Sequence, residues 1–92
     1  MASGNLQVGR PITLAAAGQA VVIARSCQLL GFIVSATQTL ALNDAATVAG
    51  AVAGNQILAA TVLPVGWTPF PVDLVNGLVA NPGTGNVVFV VA

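Results

Sequence analysis

Few side chains in this 92-residue sequence can do chemistry. The titratable set is Arg10, Arg25, Asp44, Asp73 and the single Cys27, with no histidine, lysine, tyrosine or glutamate. General acid–base catalysis takes a positioned His, Lys, Tyr or Cys, or paired carboxylates, within reach of substrate. Asp44 and Asp73 stand 29 positions apart, and nothing marks them as a pair. Cys27 has no histidine to activate it and reads as a small buried apolar group. One thiol and two aspartates are also a poor ligand supply for a metal. Gly83-Thr84-Gly85-Asn86 is glycine-rich, but it lacks the lysine and following helix of a phosphate loop and reads as a turn. Asp44 and Asp73 read as turn formers or as ion-pair partners of an arginine. No catalytic, cofactor-binding or metal-ligating residues are expected, and the chain is not expected to be an enzyme.

Two aromatic residues admit another chemistry. Trp67 and Phe70 lie outside the obvious strands and could form a stacking platform for a sugar, as in a carbohydrate-binding β-module. The competing reading is that they plug the core or a seam between subunits. With only four aromatic residues in the chain, the second reading carries more weight.

The surface such residues could occupy is constrained by charge. Only 4% of residues are charged, 57% are hydrophobic, and the net charge is zero. Soluble domains typically carry roughly 25% charged residues. Four charges cannot coat a domain of this size, and near-zero net charge favours association. The composition therefore predicts a subunit buried within a larger assembly, in the first instance with copies of itself. Two arginines without a lysine do not make a nucleic-acid footprint. High hydrophobicity with low charge opposes disorder, and a lone cysteine excludes a disulfide framework.

A membrane span is not expected either. It needs about 20 consecutive, mostly apolar residues, whereas the longest strictly apolar run is Val87 to Ala92, six residues. Ile12 to Ala24 loosely imitates a signal core, but Gly18-Gln19 interrupts it and no lysine precedes it. A cytosolic site of synthesis, with Cys27 reduced, is the expectation.

Short apolar runs alternate with turn residues along the chain. The runs are Val21–Ala24, Leu29–Val34, Thr39–Leu42, Ile57–Leu63, Val72–Leu74, Leu78–Ala80 and Val87–Val91. Their β-branched character and even spacing predict an all-β fold: a small antiparallel sandwich or jelly-roll-like barrel of about 6–8 short strands, oligomeric. Residues 1–10 read as an N-terminal arm and 11–92 as a single β-domain. Asn76-Gly77 has the chemistry of a two-residue hairpin turn. Trp67–Pro71 carries alternating prolines, which excludes a central strand and leaves an edge segment or extended connection. The alanine-rich stretch 44–54 reads as a loop or short helical turn. Leu29–Val34 and Val87–Val91 are apolar in both strand phases, so both of their faces should be covered, one of them by another chain.

A set of segments carries a family resemblance. Leu30-Gly31-Phe32-Ile33-Val34, Thr39 to Asp44, Gln56-Ile57-Leu58, Phe70, Asn76-Gly77-Leu78 and Asn86 to Val90 together resemble small virion proteins of tailed bacteriophages. Those are β-sandwich or jelly-roll subunits that include capsid decoration (cement) proteins. The resemblance covers roughly residues 21–92, and its motifs are strands and turns rather than a chemical signature. The expected aromatic after the second strand is replaced by Leu42-Asn43, and the stretch after Asp44 is longer. The resemblance implies a trimer bound to the major capsid protein on the virion surface. It leaves a tail, collar or fibre subunit as the alternative. The expected interface residues are Leu6, Val8, Trp67, Phe70, Val88 and Val90, with Met1–Gln7 as a clamp on a neighbour.

Overall fold

The computed structural model describes residues 9–92. Leu6, Val8 and the expected clamp Met1–Gln7 lie outside the described residues. Arg10, expected in the arm, is already the first residue of a strand. The strands are β1 (Arg10–Leu14), β2 (Ala20–Ile23), β3 (Cys27–Val34), β4 (Gln38–Asn43), β5 (Gln56–Leu63), β6 (Gly66–Leu74), β7 (Leu78–Pro82) and β8 (Val87–Val91). The only helix among the described residues is a 3-10 turn at Ala53–Asn55.

These strands form two four-stranded antiparallel sheets, β1-β8-β3-β6 and β2-β7-β4-β5. Every connection crosses between the sheets except β4 to β5. That order is the double Greek key of an eight-stranded jelly roll. The molecule measures 40 × 27 × 18 Å, and the short axis matches two stacked layers.

Alternation in the sequence sets which face each residue takes. Leu40 and Leu42 point inward from β4, and Val87, Phe89 and Val91 point inward from β8. Phe32 sits at the centre, with ring centroids 6.0 Å from Phe70 and 6.1 Å from Phe89. Leu29, Val34, Leu74 and Leu78 complete the wall of buried side chains around it.

The proline-rich stretch is the strand β6, merged with Val72–Leu74, and it takes an edge of its sheet as its prolines require. The Asn76-Gly77 turn does not close a hairpin, because β6 and β7 belong to different sheets. It is an inter-sheet corner instead. Gly77 has φ +151°, and a Cβ there would collide with the Ile23 carbonyl oxygen. A conventional hairpin leaves its turn in solvent, whereas this corner is pressed against the β2 end.

Asp44 holds that corner from 31 positions away. Its carboxylate accepts hydrogen bonds from the N–H groups of Val75 (3.0 Å), Asn76 (2.8 Å) and Gly77 (3.3 Å). Asp44 is thus a turn-stabilising residue, of a turn it does not belong to. Burial by itself raises its pKa, but the three N–H donors outweigh burial and hold the carboxyl below the usual aspartate value. A carboxyl with a lowered folded-state pKa contributes stability that is present above its unfolded pKa, about 3.9. That contribution is lost as pH falls through the folded value. Asp44→Asn is therefore expected to cost about 1–2 kcal/mol at neutral pH. The variant should also show a shallower loss of stability on acidification. Urea titrations at neutral and acid pH check both effects, and a pH dependence as steep as that of the parent chain would contradict the assignment.

The 44–55 connection is a pinned loop, as expected of a loop or short helical turn. Asn43 Nδ2 donates to the Val52 carbonyl (2.9 Å) and to Asn55 Oδ1 (2.9 Å), and Asn55 Nδ2 donates to the Gly50 carbonyl (2.8 Å). Asn43 pairs in register with Val79, so both project from the outer face of the β2-β7-β4-β5 sheet. The loop lies on that face, where Val79 is fully buried outside the main core cluster.

Candidate functional site

The two sheets differ in what they present outward. The loop 44–55 is pinned to the β2-β7-β4-β5 sheet at its Asn43 end, while Thr39, Asn81 and Val62 of that sheet stay exposed; the β1-β8-β3-β6 sheet carries no such loop on its outer face. Register places its outward side chains in two adjacent rows. One row is Thr13, Val88, Ile33 and Trp67. The other is Pro11, Val90, Gly31 and Pro69. Neither row contains a charge. Asp73, on the outward phase of β6 and opposite Gln28, marks one end of the face.

Local features make this face flat. A register shift between Leu29 and Gly31 leaves Leu30 as the extra residue of β3 against β8, while against β6 the extra residue lies on β6, between Pro69 and Val72. Such a bulge re-aims side chains locally. Gly31 then leaves a gap that Trp67 fills: a Cβ on Gly31 would lie 2.5 Å from Trp67 Cη2 and 2.8 Å from Cζ2. The indole therefore lies down across β3 rather than standing off the sheet. Half of Trp67 (50%) and much of Ile33 (42%) remain exposed. At the rim, Gly9 packs its backbone against Val90 and Leu30.

Gly31→Ala tests this seat. The added Cβ would lie 2.5 Å from the Thr68 carbonyl oxygen as well as from the indole, so the β6 backbone must move too. Overpacking of this kind costs about 1–3 kcal/mol. Trp67 emission, the sole tryptophan signal, is expected to shift red as the ring is displaced. An unshifted spectrum would mean that the ring does not rest on Gly31.

Of the expected interface residues, Trp67, Val88 and Val90 meet on this face. Phe70 does not join them. It faces inward and packs with Phe32 in the core. Residues three apart on a strand point to opposite faces, so Trp67 and Phe70 cannot form a two-ring sugar platform. Ile33, Pro69 and Leu30 are additions that sequence reasoning missed. Ile33 had a signal, since it is the outward-phase member of a strand apolar in both phases. The flattening role of Gly31 had none, because its cause is a neighbouring strand.

The remaining reactive groups are dispersed. Cys27 is half-buried, and burial pushes its thiol up in pKa; nearby Arg25 opposes this and Asp44 adds to it. A raised thiol is a poor nucleophile at neutral pH. Among the described residues there is no pocket and no cluster of three or more metal-ligating side chains. Among the same residues, no helix is long and apolar enough to cross a membrane. What this arrangement can do is bury apolar surface.

No protein-family model, curated protein or solved structure matches the chain.

Proposed function

We propose that this chain is a structural subunit of a multi-chain shell, a decoration (cement) protein on the outer surface of a tailed-phage head, bound to the major capsid protein. The carrying observation is the uncharged outer face of the β1-β8-β3-β6 sheet, with Trp67, Ile33, Val88 and Val90 side by side. Scarce charge, jelly-roll strand order and the segment resemblance support the same reading. Its action is adhesion. At about 25 cal/mol per Å², a standard interface of roughly 1,600 Å² supplies ample driving force before the costs of ordering. Repetition over a shell multiplies it.

This reading has a physical signature. Contacts made by apolar burial are weakly sensitive to ionic strength, unlike those between exposed charges. Occupancy of the shell should therefore survive a high-salt wash, and shells stripped of the chain should open at lower temperature. The deciding experiment is imaging of the tagged chain in purified particles. Density at regular positions on the head supports the reading. Density confined to the tail, collar or fibre, or to no particle, overturns it.

A further inference from the structure

We propose that Asn76 is a site of spontaneous deamidation, and that the Asp44 carboxylate holds the reaction shut for as long as the corner between β6 and β7 stays in place.

The reaction is intramolecular. The Gly77 nitrogen gives up its proton and bonds to Asn76 Cγ. The Cγ–Nδ2 bond breaks, and Nδ2 leaves with that proton as ammonia. Water then opens the five-membered imide at either carbonyl, leaving aspartate or isoaspartate at position 76. The step is easiest before glycine, which has no side chain to crowd the attacking nitrogen. Among the chain's asparagines only Asn76 precedes glycine. Asn81 precedes proline, which has no N–H, and Asn86 precedes the β-branched Val87. The carboxamides of Asn43 and Asn55 are engaged in holding the 44–55 loop. Asn76 is exposed, and among the described residues its carboxamide makes no hydrogen bond.

The corner opposes ring closure by its geometry. The N–H groups of Asn76 and Gly77 both donate to Asp44 Oδ1, at 2.8 and 3.3 Å. Because they converge on one oxygen, the two nitrogens lie on the same side of the Asn76 Cα–C bond. Closing the ring needs that bond rotated until Cβ takes the place of the Asn76 nitrogen. The rotation would break these hydrogen bonds, while the Val75 N–H on Oδ2 (3.0 Å) holds the preceding residue. Gly77 is also buried and hemmed in. A Cβ there would collide with the Ile23 carbonyl oxygen and lie 2.9 Å from that of Ala45.

Charge acts in the same direction. A carboxylate beside the Gly77 nitrogen disfavours the negative charge that develops there as the proton leaves. With its own pKa held low, that carboxylate is also a weak base for taking the proton. Local opening of the corner, rather than unfolding of the whole chain, therefore sets the rate. The products do not fit back. Aspartate brings a second negative charge to a turn already bound to a carboxylate, and isoaspartate lengthens the backbone by a methylene.

The experiment incubates the full chain at mildly alkaline pH, folded or in urea. Mass spectrometry of its peptides then reads amide-to-acid conversion and isoaspartate at each asparagine. In urea, conversion is expected at Asn76 ahead of every other asparagine. In the folded parent it should be at least about tenfold slower. Asp44→Ala removes all three acceptors and is expected to raise the folded-state rate at Asn76 at least about tenfold. Should that variant fail to fold, Asp44→Asn, which loses the charge and one acceptor, gives the same comparison. Gly31→Ala lowers stability from the middle of a sheet, away from the corner, and should leave the rate at that of the parent.

A folded parent that converts as fast as the urea sample overturns the proposal. So does an Asp44 variant that is folded yet no faster than the parent. Gly31→Ala converting as fast as the Asp44 variant would make global unfolding the route, and so would overturn the clamp. Conversion in urea at another asparagine overturns Asn76 as the site. Every arm uses the isolated chain, so particle imaging bears on the shell reading alone.

Discussion

Phe32→Ala is expected to leave the chain largely unfolded at 37 °C. Phe32 is fully buried and touches both other aromatic rings of the core, Phe70 from β6 and Phe89 from β8. It thus joins the edge strand β6 to the centre of its own sheet and faces Leu40 and Leu42 of the other. Truncating a buried phenylalanine costs about 3–5 kcal/mol through lost transfer energy and the cavity left behind. A domain of 92 residues has a total stability of about 5–14 kcal/mol at typical values per residue. The loss is a large share of that total. Thermal unfolding at fixed protein concentration should show a drop of more than about 12 °C. A drop below about 4 °C would mean that the neighbouring rings collapse into the space, and that the three phenylalanines are not the keystone of the core.

The second large effect is expected from a polar residue. Gln38 is buried at the start of β4, and its carboxamide is used on both sides. Nε2 donates to the carbonyls of Ala36 and Gly85, each at 3.0 Å. Oε1 accepts from the N–H groups of Thr84 and Gly85, each at 2.9 Å. One side chain therefore satisfies the backbone of the turn between β7 and β8. That turn has no freedom to find other partners: Gly85 has φ +101°, and a Cβ there would collide with the Ala15 carbonyl oxygen. Gln38→Leu keeps the volume but strands the buried Gly85 amide and carbonyl. Each unsatisfied buried group costs about 1–3 kcal/mol, so the expected loss for the two is about 2–6 kcal/mol. Hydrogen exchange should rise at Thr84 and Gly85 in particular. Gln38→Glu at neutral pH is a sharper comparison, since it keeps the acceptor and loses the donor. A Leu variant as stable as the parent would show that water or a shifted turn replaces the carboxamide.

Much of the fold follows from periodicity alone. Leu40 and Leu42 alternate with small or polar residues, and they point inward because a strand has a period of two. The prolines at 69 and 71 cannot donate to a ladder, so an edge position for that segment is a consequence of covalent chemistry. The loop at 44–54 likewise follows from glycines that break both strand and helix. Low charge and the lack of His, Lys, Tyr and Glu are compositional, and no tertiary arrangement changes them.

Other features had no local signature. An edge segment or extended connection leaves the strand phase of Trp67–Pro71 open, and it is that phase which puts Trp67 and Phe70 on opposite faces. Asn76-Gly77 has hairpin chemistry, yet the partner strand of β6 is β3, some 40 positions earlier in the chain. A turn dipeptide encodes a reversal of direction, not which sheet the next strand joins.

By itself, then, the sequence determined the all-β class, the sites of chain reversal, the edge character of the proline segment and the scarcity of titratable side chains. Those properties belong to single residues or to neighbours along the chain. Only the tertiary structure decided that β1-β8-β3-β6 is one sheet, that Asp44 and Gln38 anchor turns far from them in sequence, and that Trp67 lies over Gly31 beside Ile33, Val88 and Val90. Those facts depend on which strands pair and in what register. Pairing is settled by simultaneous burial of both sheets' inner faces, a condition on the whole chain rather than on any segment of it.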